Sequence, residues 1–165
     1  MVKWEGVIPA ITTKFNKNLG LDIDTFNNNT EAQIAEGING MVIGGSVDES
    51  STINHDERLE LLQETRKISD GRISVIVNIA ESSTKEAIKL AGLAQDHGAD
   101  GLMVLPPMLY KSTDEETATW FETIAKNTDL PILVYNNPVD YKIEVTHDIF
   151  ERLVKFDNIA AVKES

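Results

Sequence analysis

The sequence predicts an α/β fold built on a parallel sheet. Strand-like and helix-like segments alternate, β-α five times and then a sixth β, at about 30 residues per unit. The strand-like segments are continuous apolar runs rather than alternating ones, the pattern of strands covered on both faces. No linker, low-complexity segment or charge block interrupts the alternation, so residues 1–165 read as one domain.

The elements follow in order. "GVIPAITTKF" (6–15) is an apolar run broken by Pro9, a strand with its exit loop. "DIDTFNNNTEAQIAEG" (22–37) places Ile23, Phe26, Thr30 and Ile34 near helical spacing, and Gly37 stops it. "GMVIGG" (40–45) is a short buried strand. "NHDERLELLQETRKI" (54–68) is a helix, with Asn54 and Glu57 spaced as a capping box. "ISVIVNIA" (73–80) is the clearest strand. "STKEAIKLAGLAQDHG" (83–98) is a helix capped by Ser83, with Glu86 three residues on, and closed by Gly98. "GLMVLPP" (101–107) is a strand. "DEETATWFETIAKNT" (114–128) is a helix with acids in its first turn, where the macrodipole favours them. "PILVYNNP" (131–138) is a strand, "THDIFERLVKF" (146–156) a helix capped by Thr146, and "IAAVKES" (159–165) a last strand.

Two architectures accommodate such a series: a doubly wound open sheet, or part of a (β/α)8 barrel. A barrel ordinarily takes eight strands and ~250 residues, so the strand count alone favours the open sheet.

Composition excludes several functions. The formal net charge is −12, from 27 acids and 15 bases, the wrong sign for a nucleic-acid or anionic membrane partner. Cysteine is absent, which removes disulfides, thiolate metal sites and cysteine nucleophiles. "MVKWEGVIPA" lacks the pattern of a signal peptide, and no stretch approaches the ~18 apolar residues of a membrane span. The expectation is a soluble, cytoplasmic protein.

Ligands of parallel α/β folds bind at the carboxyl ends of the strands, so the residues there are the candidates. The strand at 159–165 delivers Lys163 after "AAV". An amine must be neutral to attack a carbonyl, and apolar burial favours that form; the plain alternative is a solvated terminal lysine. The strand at 131–138 ends in Tyr135, whose phenol can shuttle a proton, or which is an ordinary half-buried strand tyrosine. The "GGS" stretch, Gly44, Gly45 and Ser46, permits close backbone approach and an anion nest suited to a 2-oxo acid carboxylate; it also reads as a plain glycine turn. Neither a GxGxxG nor a P-loop pattern is present.

His55, His97 and His147 all fall in helical segments without metal-ligand spacing and read as surface or cap residues. Asp48 and Glu49 offer acid–base chemistry, although loop carboxylates are ordinarily solvated. Trp120 and Phe121 read as helix core. No metal site and no cofactor is expected.

With these residues in place, the chain resembles the dihydrodipicolinate synthase/N-acetylneuraminate lyase family of Schiff-base-forming (β/α)8 enzymes. The likeness runs from Gly6 to Ser165 and rests on "GVIPAITTKF", "GGSVDESSTINHDER", "GADGLMVLPP", "VYNNP" and "AAVKES". It implies a barrel-type fold, here a partial barrel of about six parallel strands and five helices. It also implies that Lys163 forms an imine with pyruvate or a related 2-oxo acid. Tyr135 would be the proton shuttle and Ser46 a hydroxyl relaying to it. The backbone at Gly45, Ser46 and Val47 would hold the substrate carboxylate. The iminium is an electron sink, so a carbon–carbon bond can form or break beside it, or a leaving group can depart.

The chain departs from the family pattern at informative positions. Val47 stands where synthases and lyases carry a second hydroxyl residue. Met108 stands where synthases place a tyrosine that crosses a subunit interface, with Tyr110 two residues on. Asp140 replaces the arginine that binds the semialdehyde carboxylate in synthases. "SVDESST", "LPPMLYKS" and "YNNPVDYKIEVT" look more like a subgroup that deaminates and dehydrates a hydroxyproline-derived pyrroline carboxylate, 1-pyrroline-4-hydroxy-2-carboxylate.

Family members are longer, and two strands of a barrel are missing after Lys163. Free sheet edges template association, so a homo-oligomer is expected. Two readings stand: a Schiff-base lyase or deaminase whose barrel is restored by a partner, or a catalytically silent, shortened homologue that folds by oligomerising.

Overall fold

The computed structural model describes residues 2–165. In order, the elements are α1 (Ile23–Ala35), β1 (Gly40–Ile43), α2 (His55–Ser69), β2 (Ser74–Ile79), α3 (Thr84–Asp96), β3 (Gly101–Val104), α4 (Asp114–Ala125), β4 (Ile132–Asn136), α5 (Pro138–Tyr141), α6 (His147–Leu153) and β5 (Ile159–Glu164). A single 3-10 turn, Ser46–Asp48, follows β1.

The five strands form one parallel sheet in the order β1-β2-β3-β4-β5. Alternate strand residues divide between two cores. Met41, Ile43, Val75, Val77, Ile79, Leu102, Val104, Ile132 and Val134 point one way and pack with α1, α2, α3, α4 and α6. Val42, Ile76, Met103, Leu133 and Tyr135 point the other way, into a smaller cluster with Val2, Trp4, Ile8 and Ala10. The packed helices thus cover a single face. A doubly wound sheet reverses its strand order and carries helices on both faces; this chain does neither. It is an α/β partial barrel with the lumen side open, which corrects the preference that strand counting gave. Burial on both faces, read from the apolar runs, is supplied on the lumen side by the N-terminal segment instead of helices.

The strand expected at 6–15 is reduced to one isolated bridge, Ala10 to Val42. The segment still lies parallel to β1: Asn39 N–H donates to Val7 O (2.8 Å), Val42 N–H to Pro9 O (2.8 Å) and Ile11 N–H to Val42 O (3.1 Å). Pro9 has no N–H and blocks a regular ladder. Among the described residues there are therefore five strands rather than six.

Caps set the helix starts. Asn54 and Glu57 form the expected capping box on α2, and Thr113 and Glu116 form a second on α4. Ser83 accepts from Glu86 N–H at the start of α3. Thr146 occupies the cap position of α6, but its side chain makes no cap hydrogen bond and its buried Oγ1 has no partner. The unexpected α5 is a single turn begun by Asn137, with Pro138 just inside it and the Asn137 side chain accepting from Asp140 N–H.

Trp120 and Phe121 are buried, as expected of core residues, and Trp120 Nε1–H donates to Leu105 O at 2.8 Å. His147 is exposed; His55 is half-buried between Glu81 (3.5 Å) and Glu86 (3.9 Å). No helix is long and apolar enough to cross a membrane among the described residues.

Candidate active site

The carboxyl ends of β1, β4 and β5 bring together Ser46, Tyr141, Tyr135 and Lys163. Tyr135 and Lys163 are register partners on neighbouring parallel strands, so their side chains share a face. That register depends on an irregularity. Ile132 pairs with Ile159, but Leu133 pairs with Ala161, leaving Ala160 without an opposite residue. A regular ladder from Ile159 would set Lys163 beside Asn136 and turn it to the helix side. The extra residue turns it toward the lumen.

The Lys163 ammonium nitrogen lies 3.8 Å from the centroid of the Tyr135 ring, within cation–π range. The Tyr135 hydroxyl accepts from Asn137 Nδ2 at 3.2 Å and from Ser165 Oγ at 3.4 Å. Burial pushes this phenol up, but those two hydrogen bonds and the nearby charge of Lys163 outweigh burial and leave its pKa below the usual tyrosine value.

Ser46 does not bond Tyr135. Its Oγ shares a 2.8 Å hydrogen bond with the hydroxyl of Tyr141, whose ring meets that of Tyr135 edge to face at 5.6 Å. Tyr141 was not among the sequence candidates. Its signal was "NNPVDY": an Asn cap, Pro at the first helical position and a one-turn helix that swings the tyrosine back over the strand ends. Burial raises the Tyr141 pKa against the lowering effect of the Ser46 bond.

The expectation that "AAV" encloses Lys163 fails. Ala160, Val162, Lys163 and Glu164 are exposed. The cause is position: β5 is the sheet edge and pairs with β4 alone. Lys163 instead stands on a lumen cavity of about 360 Å³, lined also by Ile8, Ala10, Val42, Met103 and Leu133. That volume suits a small molecule. A larger cavity, about 640 Å³, opens between Trp4, Pro131 and Asn158 at the amino-terminal ends of the strands. The cavity at Lys163 also reaches Trp4 and Gly6, and Tyr135, Ser46 and Tyr141 are not among its lining residues.

The loop after β1 carries the other expected contacts. Gly45 is buried, whereas Ser46 and Val47 are exposed. Neither Ser46 N–H nor Val47 N–H donates within the chain, among the described residues. Beneath them lies Asp48, wholly buried rather than solvated as expected of a loop acid. Its carboxylate accepts from the Gly44 N–H and the Thr13 hydroxyl. Burial raises its pKa to about 6, against the lowering effects of Thr13, Gly44 and the Arg58 cation. Arg58, 2% exposed, donates to Asn78 O (3.0 Å), Ser50 O (2.9 Å) and Glu81 Oε1 (3.4 Å). Glu49 is exposed. No three His, Asp or Glu side chains converge as a metal would require, among the described residues.

Lys163 Nζ thus lies over the Tyr135 ring at the ends of β4 and β5, and the Ser46 hydroxyl meets that of Tyr141 beside them. A sequence profile of the dihydrodipicolinate synthetase family matches residues 3–165. This chain belongs to that family. The 4-hydroxy-tetrahydrodipicolinate synthase of Methanococcus aeolicus is 35% identical over 162 residues, 98% of this chain and 56% of the relative. That of Bradyrhizobium diazoefficiens is 37% identical over 163 residues, 99% of this chain and 55% of the relative. The chloride-inhibited dihydrodipicolinate synthase from Acinetobacter baumannii, solved in complex with pyruvate, superposes with a TM-score of 0.94 at 31% identity, covering 99% of this chain and 56% of that one. The chain thus spans about half the length of these dihydrodipicolinate synthetase relatives.

Proposed function

We propose that this chain carries the imine-forming site of a Schiff-base lyase or aldolase-type enzyme acting on pyruvate or a related 2-oxo acid. The observation that carries the proposal is the pairing of Lys163 with Tyr135 across β4 and β5, on the lumen face. The amine attacks the 2-oxo carbon. Tyr135 supplies the proton that lets the carbinolamine oxygen leave as water. Ser46 and Tyr141 extend the proton path, and the Ser46 and Val47 N–H groups receive the substrate carboxylate. The relative solved with pyruvate supports that substrate class.

Within the family we favour the deaminase subgroup over the synthases, although the curated relatives named above are synthases. Asp140 occupies the position of the synthase arginine, and its carboxylate accepts from Asn137 Nδ2 at 2.8 Å. A negative charge there opposes a second substrate carboxylate. The test is direct: incubate the 165-residue chain separately with 1-pyrroline-4-hydroxy-2-carboxylate and with pyruvate plus a carboxylate-bearing semialdehyde, and follow products by NMR. Ammonia release from the first, without condensation in the second, is expected. Condensation alone would return the chain to the synthases.

Residues 1–165 are proposed to form a single partial-barrel domain that associates into a homo-oligomer. The exposed outer edge of β5 motivates this. Light scattering is expected to give a mass above one chain; a single-chain mass at micromolar concentration contradicts it.

A further inference from the structure

We infer that Asp48 is a positioning residue, which holds the loop after β1 so that the Ser46 and Val47 N–H groups face the substrate carboxylate. The inference deepens the imine-forming reading and rests on it for the identity of the ligand.

Asp48 lies two residues from Ser46 but points away from the site, into the protein. Its side chain is wholly buried and ties three pieces of chain together. One oxygen accepts from Gly44 N–H, the other from the Thr13 hydroxyl, and the same hydroxyl lies 3.0 Å from Asp48 O. The other side of the Gly44 peptide is fixed too, since Asn78 Nδ2 donates to Gly44 O at 2.8 Å. Gly44 sits at φ +69, and a Cβ there would lie 3.1 Å from Arg58 Nε. The turn is therefore held by Asn78 of β2 at Gly44 O, by Thr13 of the N-terminal segment through Asp48, and by Arg58 of α2, which donates to Ser50 O at 2.9 Å.

The consequence appears one residue further on. Asp48 N–H and Ser50 N–H both turn back to Gly45 O, at 3.0 and 3.2 Å. Ser46 and Val47, both exposed, are left between these bonds with N–H groups that donate to no partner among the described residues. A carboxylate suits this task because it accepts from two donors at once. The charged groups facing it are Arg58 from α2 and, through Arg58, Glu81 after β2 and His55 at the start of α2. Asp48 touches no substrate, so its effect is on binding geometry.

The test compares Asp48→Ala, Asp48→Asn and Thr13→Val with the parent chain. An asparagine can still accept from Gly44 N–H while its amide donates to Thr13 Oγ1, so it keeps both links. Half-saturation of imine trapping by pyruvate should rise at least tenfold in Asp48→Ala, with the limiting rate within about threefold, and Asp48→Asn should recover most of the loss. A folded Asp48→Ala with parental half-saturation overturns the inference. If Asp48→Ala does not fold, Thr13→Val, which keeps the volume and removes one donor, must show the same shift in half-saturation. If the parent chain itself traps no pyruvate, the imine reading fails separately. Amide hydrogen exchange over residues 44–48 then decides: protection lost in Asp48→Ala and kept in Asp48→Asn supports the holding role, and equal protection in all three overturns it.

Discussion

Tyr135→Phe should slow imine formation with pyruvate by about 100-fold or more while leaving the fold intact. The substitution removes one hydroxyl and keeps the ring. The ring's contacts with the Lys163 ammonium and with Tyr141 are therefore preserved. The structural cost is small, because Asn137 Nδ2, which loses its acceptor, still donates to Asp140 Oδ2 at 2.8 Å. What is lost is the proton donor beside the carbinolamine. The phenol's pKa lies below the ordinary tyrosine value, so the parent rate should also fall on the alkaline side as that proton is lost. Tyr135→Phe should lack this alkaline limb. A stopped-flow series with pyruvate across the alkaline range checks both. A variant rate within threefold of the parent, with the limb still present, would remove Tyr135 from the chemistry.

Arg58→Met should cost about 3–5 kcal/mol of stability, the range for removing one partner from a buried charged network. The Asn78 and Ser50 carbonyls lose their donor, and Asp48 loses the cation beside it. The pH dependence has a definite sign. The Asp48 carboxyl has an ordinary value of 3.8 and is raised to about 6 in the folded chain. Below 3.8 it is protonated in both states and contributes nothing. Between these values the folded state binds the extra proton, so stability falls as pH rises. Above 6 the cost levels off at roughly 3 kcal/mol, at 1.36 kcal/mol per unit. Without Arg58 the folded carboxyl rises further, and the falling window extends to higher pH. Urea unfolding of parent and variant should therefore show a larger deficit at pH 8 than at pH 5. Equal deficits at the two pH values would mean that Asp48 and Arg58 are not coupled.

Much of this fold was legible because parallel strands are written as apolar runs between capped helices. The segments around β1 to β5 and the boxes at Asn54 and the cap at Ser83 needed nothing more. Which face the helices take was not legible, since both faces of each strand are apolar. The lumen-facing side of Lys163 was equally hidden: Ala160 and Ala161 are alike in sequence, and only the pairing shows which one is skipped. Lys163 lies exposed because an edge strand lacks its second neighbour, a fact of sheet order. The burial of Asp48 depends on Thr13 and Arg58, which are 35 and 10 residues away in the chain. Tyr141 escaped notice because "YNNP" reads as a strand end and conceals a one-turn helix.

The most direct measurement is borohydride trapping of the 165-residue chain with pyruvate, read by intact mass and peptide mapping. A single adduct on Lys163, absent in Lys163→Ala, is the predicted result. No adduct from a folded parent chain, or an adduct that persists in Lys163→Ala, would contradict the assignment of an imine-forming site and leave a silent homologue that keeps the motifs.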